Sequence, residues 1–207
     1  MKVAIDSSQS SGSIAIYTGG KLEYSAYFNI RITHSETLMP ALDNALSVCD
    51  YNKKDINELY TCIGPGSFTG LRIGLATVKG IAFGLEIPVY TFNSLQLTAL
   101  PCIYTEKNIL SVVDAKMKEV YAALYTPTLN ERVAPCVVSP QDISMWDLGD
   151  CIVCGSGSGL VSPCLNSVEN NLTYSSSYHN ICRAEGLFAL ADVLTPEKYT
   201  SETLAEL

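Results

Sequence analysis

Two Asp-containing turns and two glycine-rich loops are the segments of this chain whose residue types can do chemistry. Asp6-Ser7-Ser8 and Asp114-Ala115-Lys116 each follow a short apolar run. A carboxylate at the end of a strand can hold Mg²⁺ through water, while Ser hydroxyls and backbone N–H groups hold phosphate. An Asp that hydrogen-bonds its own turn accounts for the same pattern. The first loop, Gly64-Pro65-Gly66-Ser67-Phe68-Thr69-Gly70, is the most distinctive stretch; the second is Gly155-Ser156-Gly157-Ser158-Gly159. Glycine permits positive φ and close backbone approach, and Ser67 can cap a helix whose N-terminus favours anions. The spacing is not that of a P-loop, and a turn packed tightly on a neighbour explains the glycines as well. Candidate nucleotide contacts are therefore Asp6, Ser7, Gly64, Gly66, Ser67, Gly155 and Gly157.

Other chemistries lack their residues. The two histidines, His34 and His179, are far apart, and neither belongs to an H-x-x-x-H or H-E-x-x-H pattern. His34 precedes a helix, where capping or packing is the expected role. Gly155-Ser156-Gly157 lacks the full spacing of a nucleophile elbow. Of the eight cysteines only Cys151 and Cys154 form a C-x-x-C pair, with no second pair to complete a zinc site. Buried reduced thiols are expected. No catalytic residue, metal ligand or cofactor is assigned.

With 207 residues, 47% of them hydrophobic and 16% charged, the chain can bury a sizeable core. Its net charge of −8 argues against an autonomous nucleic-acid binder. The N-terminal Met1-Lys2-Val3-Ala4-Ile5-Asp6 begins a strand at once, so no secretory leader is expected. No apolar run approaches the roughly 20 residues of a membrane span. A cytoplasmic setting follows as an expectation.

The elements that must position these loops follow from periodicity. Strands are expected over residues 3–5, 13–17 and 22–28, forming an antiparallel meander. Leu38, Leu42, Leu46 and Cys49 stack on one helical face, with Pro40 at its start or at a kink. A buried strand over 59–63 leads through the first glycine loop into a helix ending near Leu85, and a strand over 88–92 follows. On that helix Leu71, Leu75, Val78, Ile81, Ala82 and Leu85 form one stripe, with Gly70, Ile73, Gly74, Thr77, Gly80 and Gly84 beside it. A helix apolar on two sides needs two covers: its own sheet, and another helix of this chain or of a partner.

The pattern then restarts. Asp6 and the strand 14–17 recur, 108 residues later, as Asp114 and the strand 122–125. Strands over 133–138 and 151–154 and a short helix after Ser139-Pro140 complete a smaller second half. Two β-β-β-α-β-α lobes, the second incomplete, describe the α/β fold of actin-like ATPases (ribonuclease H-like), with lobes at 1–97 and 98–207. In such folds each lobe's first strand ends in a carboxylate near the nucleotide.

Residues 64–85, GPGSFTGLRIGLATVKGIAFGL, closely resemble the signature of the TsaB/YeaZ family. AIDSS (4–8), HSETLMP (34–40), PVYTFNSL (88–95) and VVDAKMKEVYAALY (112–125) fall in that family's order. The resemblance is strong over 1–125 and weak beyond. It implies a non-catalytic subunit for tRNA threonylcarbamoyladenosine formation, a scaffold that binds and activates TsaD together with the ATPase TsaE. It further implies a homodimer in isolation and contact with tRNA only through the complex. In the family the first two helices pair with a partner, which carries over onto Leu38, Leu42, Leu46, Leu71, Gly74, Leu75, Val78, Ala82 and Leu85. Three alternatives remain: a small-molecule kinase of the same fold, a glycoprotease-like metallopeptidase, and a homodimeric structural protein.

Overall fold

The computed structural model describes residues 1–29, 34–165 and 171–207, with His34 described by its backbone alone. The chain runs β1 (Lys2–Asp6), β2 (Gly12–Thr18), β3 (Lys21–Phe28), α1 (His34–Val48), β4 (Glu58–Gly64), α2 (Phe68–Leu85) and β5 (Val89–Asn93). It continues α3 (Ser94–Ala99), β6 (Asn108–Lys116), β7 (Glu119–Tyr125), β8 (Glu131–Val138), β9 (Cys151–Cys154), α4 (Ser158–Leu165) and β10 (Leu172–Tyr174). The last elements are α5 (Gly186–Val193) and β11 (Glu197–Tyr199). Pro40 lies inside α1 and does not start it.

Two compact units result, one of residues 1–93 and 182–207, the other of 94–181. A single division after residue 97 is what the sequence suggests. Instead the last 26 residues, Cys182 to Leu207, return to the first unit. There β11 pairs antiparallel with β5, Glu197 opposite Thr91, and supplies an edge strand that no local signal announces.

In the first unit the sheet order is β11-β5-β4-β1-β2-β3. Alternation along the strands sends Val3, Ile5, Ile14, Ile16, Leu59 and Val89 to one face. Leu38, Leu42, Ala45 and Leu46 of α1 and Val78 and Ala82 of α2 bury against them.

In the second unit the order is β10-β9-β6-β7-β8, which repeats β5-β4-β1-β2-β3 strand for strand. The 108-residue offset is one residue out in the hairpin. Ile5 pairs with Ile14, but Val113 pairs with Tyr121 and not with Ala122. The tighter turn runs between Lys116 and Glu119 through Met117 (φ 53°) and Lys118 (φ 69°). With Lys116 (φ 67°) before them, three successive residues are left-handed; the central two, Met117 and Lys118, take the hairpin-turn positions that Asn-Gly favours, and non-glycine residues are disfavoured there. Replacing Met117-Lys118 by Asn-Gly is expected to raise stability by about 1 kcal/mol. Thermal or urea unfolding checks this; an unchanged or lowered midpoint would show that Met117 or Lys118 makes a compensating contact.

Candidate functional site

The glycine loop of the first unit is locked onto the β1–β2 turn. Ser67 donates its N–H to the Ser8 carbonyl at 2.7 Å, and Ser7 Oγ donates to the Gly70 carbonyl at 2.9 Å. Ser67 caps α2, its Oγ accepting the Gly70 N–H at 3.2 Å, as its position before the apolar run suggested. A Cβ on Gly66 would stand 2.0 Å from the Ser8 carbonyl oxygen, and one on Gly74 2.1 Å from Ser7 Oγ. Glycine is required here so that helix and hairpin can touch. Gly64, with φ +114°, starts the turn.

Asp6 is enclosed. It is 1% exposed and accepts the Ser8 N–H at 3.2 Å. Burial, the Asp6 charge and a hydrogen bond to that carboxylate push the Cys62 thiol well up. The Asp6 carboxylate thus serves its own turn and a neighbouring thiol.

The second unit repeats the arrangement in a more open form. Asp114 accepts the Lys116 N–H at 2.7 Å and pairs with Lys116 Nζ at 2.8 Å. Those contacts hold its carboxyl below the usual carboxylate range, against the opposing effect of burial. Gly155 lies 2.2 Å, by its missing Cβ, from the Val112 carbonyl, and Gly157 lies 2.8 Å from Val112 Cγ1. Both glycines are taken up by close packing on β6. Among the described residues no three His, Cys, Asp or Glu side chains gather around a point.

The C-x-x-C pair is divided by strand alternation. Cys151 joins the core beneath α4, whereas Cys154 reaches the other face of β9, 3.7 Å from the Leu110 carbonyl. There its hydrogen bond holds the Cys102 thiol below its ordinary value although burial opposes this. All eight cysteines are free thiols, and five of them are buried.

The two helices correct the expected partner surface. Leu38, Leu42, Leu46, Gly74, Val78 and Ala82 are buried in the chain's own core and have no surface to offer. Leu71, Leu75 and Leu85 are half-buried. The buried stripe of α2 is Gly70, Gly74, Val78 and Ala82, a row of small residues every fourth position that brings the helix close to the sheet. Two residues further round, about 200° away, Arg72, Ala76 and Gly80 face solvent, followed by Phe83 and Gly84. Phe83 is 74% exposed and Phe68 67%, with the Arg72 guanidinium 3.7 Å above the Phe68 ring. By length and composition this 18-residue helix could cross a membrane, contrary to the expectation of no such run. Its small-residue stripe, however, is covered by the sheet.

The family model described as "TsaD: tRNA N6-adenosine threonylcarbamoyltransferase" matches residues 30–174. YeaZ from Pseudomonas aeruginosa superposes over 98% of this chain and 96% of its own, with a TM-score of 0.84 and 26% identity. The tRNA threonylcarbamoyladenosine biosynthesis protein TsaB of Bacillus subtilis is 34% identical over 137 residues, 64% of this chain. The chain belongs to the TsaB/YeaZ family. Its fold is the actin-like one of that family. The TsaB of Escherichia coli is 34% identical over 128 residues, 59% of this chain. The matched region spans 59% of the B. subtilis protein and 54% of the E. coli protein. Residues 64–85 coincide with the hairpin–loop–helix junction, and the Ser7 and Ser8 contacts demand two of their six glycines, Gly66 and Gly74.

Proposed function

We propose that this chain is a non-catalytic subunit in tRNA threonylcarbamoyladenosine biosynthesis, binding and activating the transferase TsaD, with the ATPase TsaE as a further partner. One observation carries the reading: α2 buries only Gly70, Gly74, Val78 and Ala82 and leaves two phenylalanines, Phe68 and Phe83, exposed to solvent. Exposed apolar surface of this kind marks a protein partner. The same face would join two copies in the absence of TsaD. The enclosed Asp6 and the close-packed glycines favour a scaffold over the kinase alternative. The net charge of −8 suits contact with tRNA only through the complex. The setting proposed is the cytoplasm.

Mixing the purified chain with TsaD and TsaE and following threonylcarbamoyl transfer to tRNA tests this. The expected result is a stable complex with TsaD, transfer that depends on the chain, and no ATP turnover by the chain alone. ATP turnover abolished by Asp6→Ala would put the kinase in its place.

A further inference from the structure

The sheet of the first unit has a second face, opposite α1 and α2, which the partner reading leaves unused. Alternation sends Lys2, Tyr17, Tyr60 and Tyr90 there, and α5 in the returning C-terminal segment adds Phe188, Ala191 and Asp192. Together they line a cavity of about 270 Å³, all of it within this unit. Tyr60 stacks on Tyr90 with centroids 5.0 Å apart and meets the edge of Phe188 at 5.3 Å. Tyr17 closes on Phe188 at 5.2 Å. The result is a box of four rings.

Its charge favours a cation. Glu58 is spoken for, pairing with Lys2 at 3.4 Å and accepting the Tyr60 O–H at 2.7 Å. Asp192 has no ion pair among the described residues. It sits in the last turn of α5, where the helix's own carbonyl end adds negative potential. Buried against this wall, and bonded to Glu58, the Tyr60 phenol is pushed well up, with Asp192 contributing to the push. The rings already attract positive charge: Lys2 Nζ lies 5.6 Å from the Tyr60 centroid and Lys198 Nζ 5.7 Å from that of Tyr90. The lining itself offers a phosphate-bearing ligand two carboxylates, Glu58 and Asp192, against one lysine, Lys2, with Lys198 over the Tyr90 ring beside it. The cavity is also below the roughly 300–1,000 Å³ of sites for drug-sized molecules, so a single side-chain-sized group is its measure.

We propose that this aromatic box is a binding site for a guanidinium group, stacked on the tyrosine rings and held by Asp192. A planar guanidinium can lie on a ring while donating two parallel N–H groups to a carboxylate, which a compact, strongly hydrated ammonium cannot do. The group can come from free arginine or from an arginine side chain presented by another polypeptide. The box is independent of the α2 face, so TsaD binding does not bear on it.

NMR titration of the full chain with Nα-acetyl-arginine-N-methylamide, with free L-arginine, and with the uncharged citrulline analogue of the first tests the site. Saturable shifts of the signals of Tyr60, Tyr90, Phe188 and Ala191 are expected with the arginine probes. Citrulline should bind at least about tenfold more weakly, and Asp192→Asn should weaken the arginine probes by about as much. Tyr90→Leu keeps the apolar volume but loses the ring face, and should weaken binding severalfold. Lys198→Gln removes a competing cation and should tighten it. Equal affinity for the blocked and free forms identifies a presented side chain, whereas preference for free arginine identifies the amino acid; both support the site. Equal binding of citrulline, no saturable shift with the arginine probes, or indifference to Asp192→Asn would overturn it.

Discussion

Phe83→Asp should leave the chain folded and abolish its association with TsaD. Phe83 is 74% exposed, so the substitution removes little from the core, and its effect on folding should stay within about 0.5 kcal/mol. At an interface the same ring is worth far more. Burying a phenylalanine contributes roughly 1.5–3 kcal/mol, and an unpaired carboxylate in its place adds a desolvation cost. A loss of at least about 3 kcal/mol, or more than a hundredfold in affinity, is expected. Ala76→Arg, further along the exposed stripe, should act in the same way by size. Self-association should fail in parallel, as sedimentation would show. Val78→Glu is not an equivalent test, because Val78 is fully buried and a charge there would unfold the unit. A folded, monomeric Phe83→Asp chain that still bound TsaD and supported transfer would place the interface elsewhere.

Gly66→Ala should be among the most destabilising single-methyl substitutions in the molecule. The new Cβ would meet the Ser8 carbonyl oxygen at 2.0 Å, and that oxygen accepts the Ser67 N–H at 2.7 Å. Relief therefore requires moving two backbone segments and stretching a buried hydrogen bond. A cost of about 3 kcal/mol is expected, which for a chain of this size lowers Tm by roughly 6–12 °C. The other glycines of the motif provide the scale. At Gly74 the obstacle is the Ser7 hydroxyl, 2.1 Å away, which can rotate at the loss of its bond to the Gly70 carbonyl, so Gly74→Ala should cost less. At Gly80 nothing lies within 4 Å, and Gly80→Ala should stabilise the isolated chain by up to about 1 kcal/mol through helix propensity. The same Gly80 methyl should weaken partner binding, since close helix approach needs the gap. Calorimetry of the three variants checks the order; Gly66→Ala melting with the parent would mean the junction is not tight.

Local pattern determined a good deal. The spacing of Leu38, Leu42 and Leu46 placed a helix and its buried face, and Ser67 marked the start of α2. Apolar alternation and two post-strand aspartates revealed the two-lobed repeat, because each of these signals lies within a few residues of chain. What local pattern did not determine was which side of α2 faces inward. Both sides are apolar, so hydrophobicity does not choose between them. Close approach to the sheet chooses, and it takes Gly70, Gly74, Val78 and Ala82 inward while leaving Phe83 out. The glycine loops were equally open to phosphate cradling or packing until the Ser8 and Val112 carbonyls appeared beside them. The return of Cys182–Leu207, and with it the box of Tyr17, Tyr60, Tyr90 and Phe188, was invisible for a different reason. The rings come from four separate segments, and the three-residue strand β11 carries too little pattern to name its partner. Long-range contacts bring that tail back to the first sheet: β11 pairs with β5, the Ala184 N–H donates to Ser13 Oγ, and Phe188 packs on Tyr17 and Tyr60.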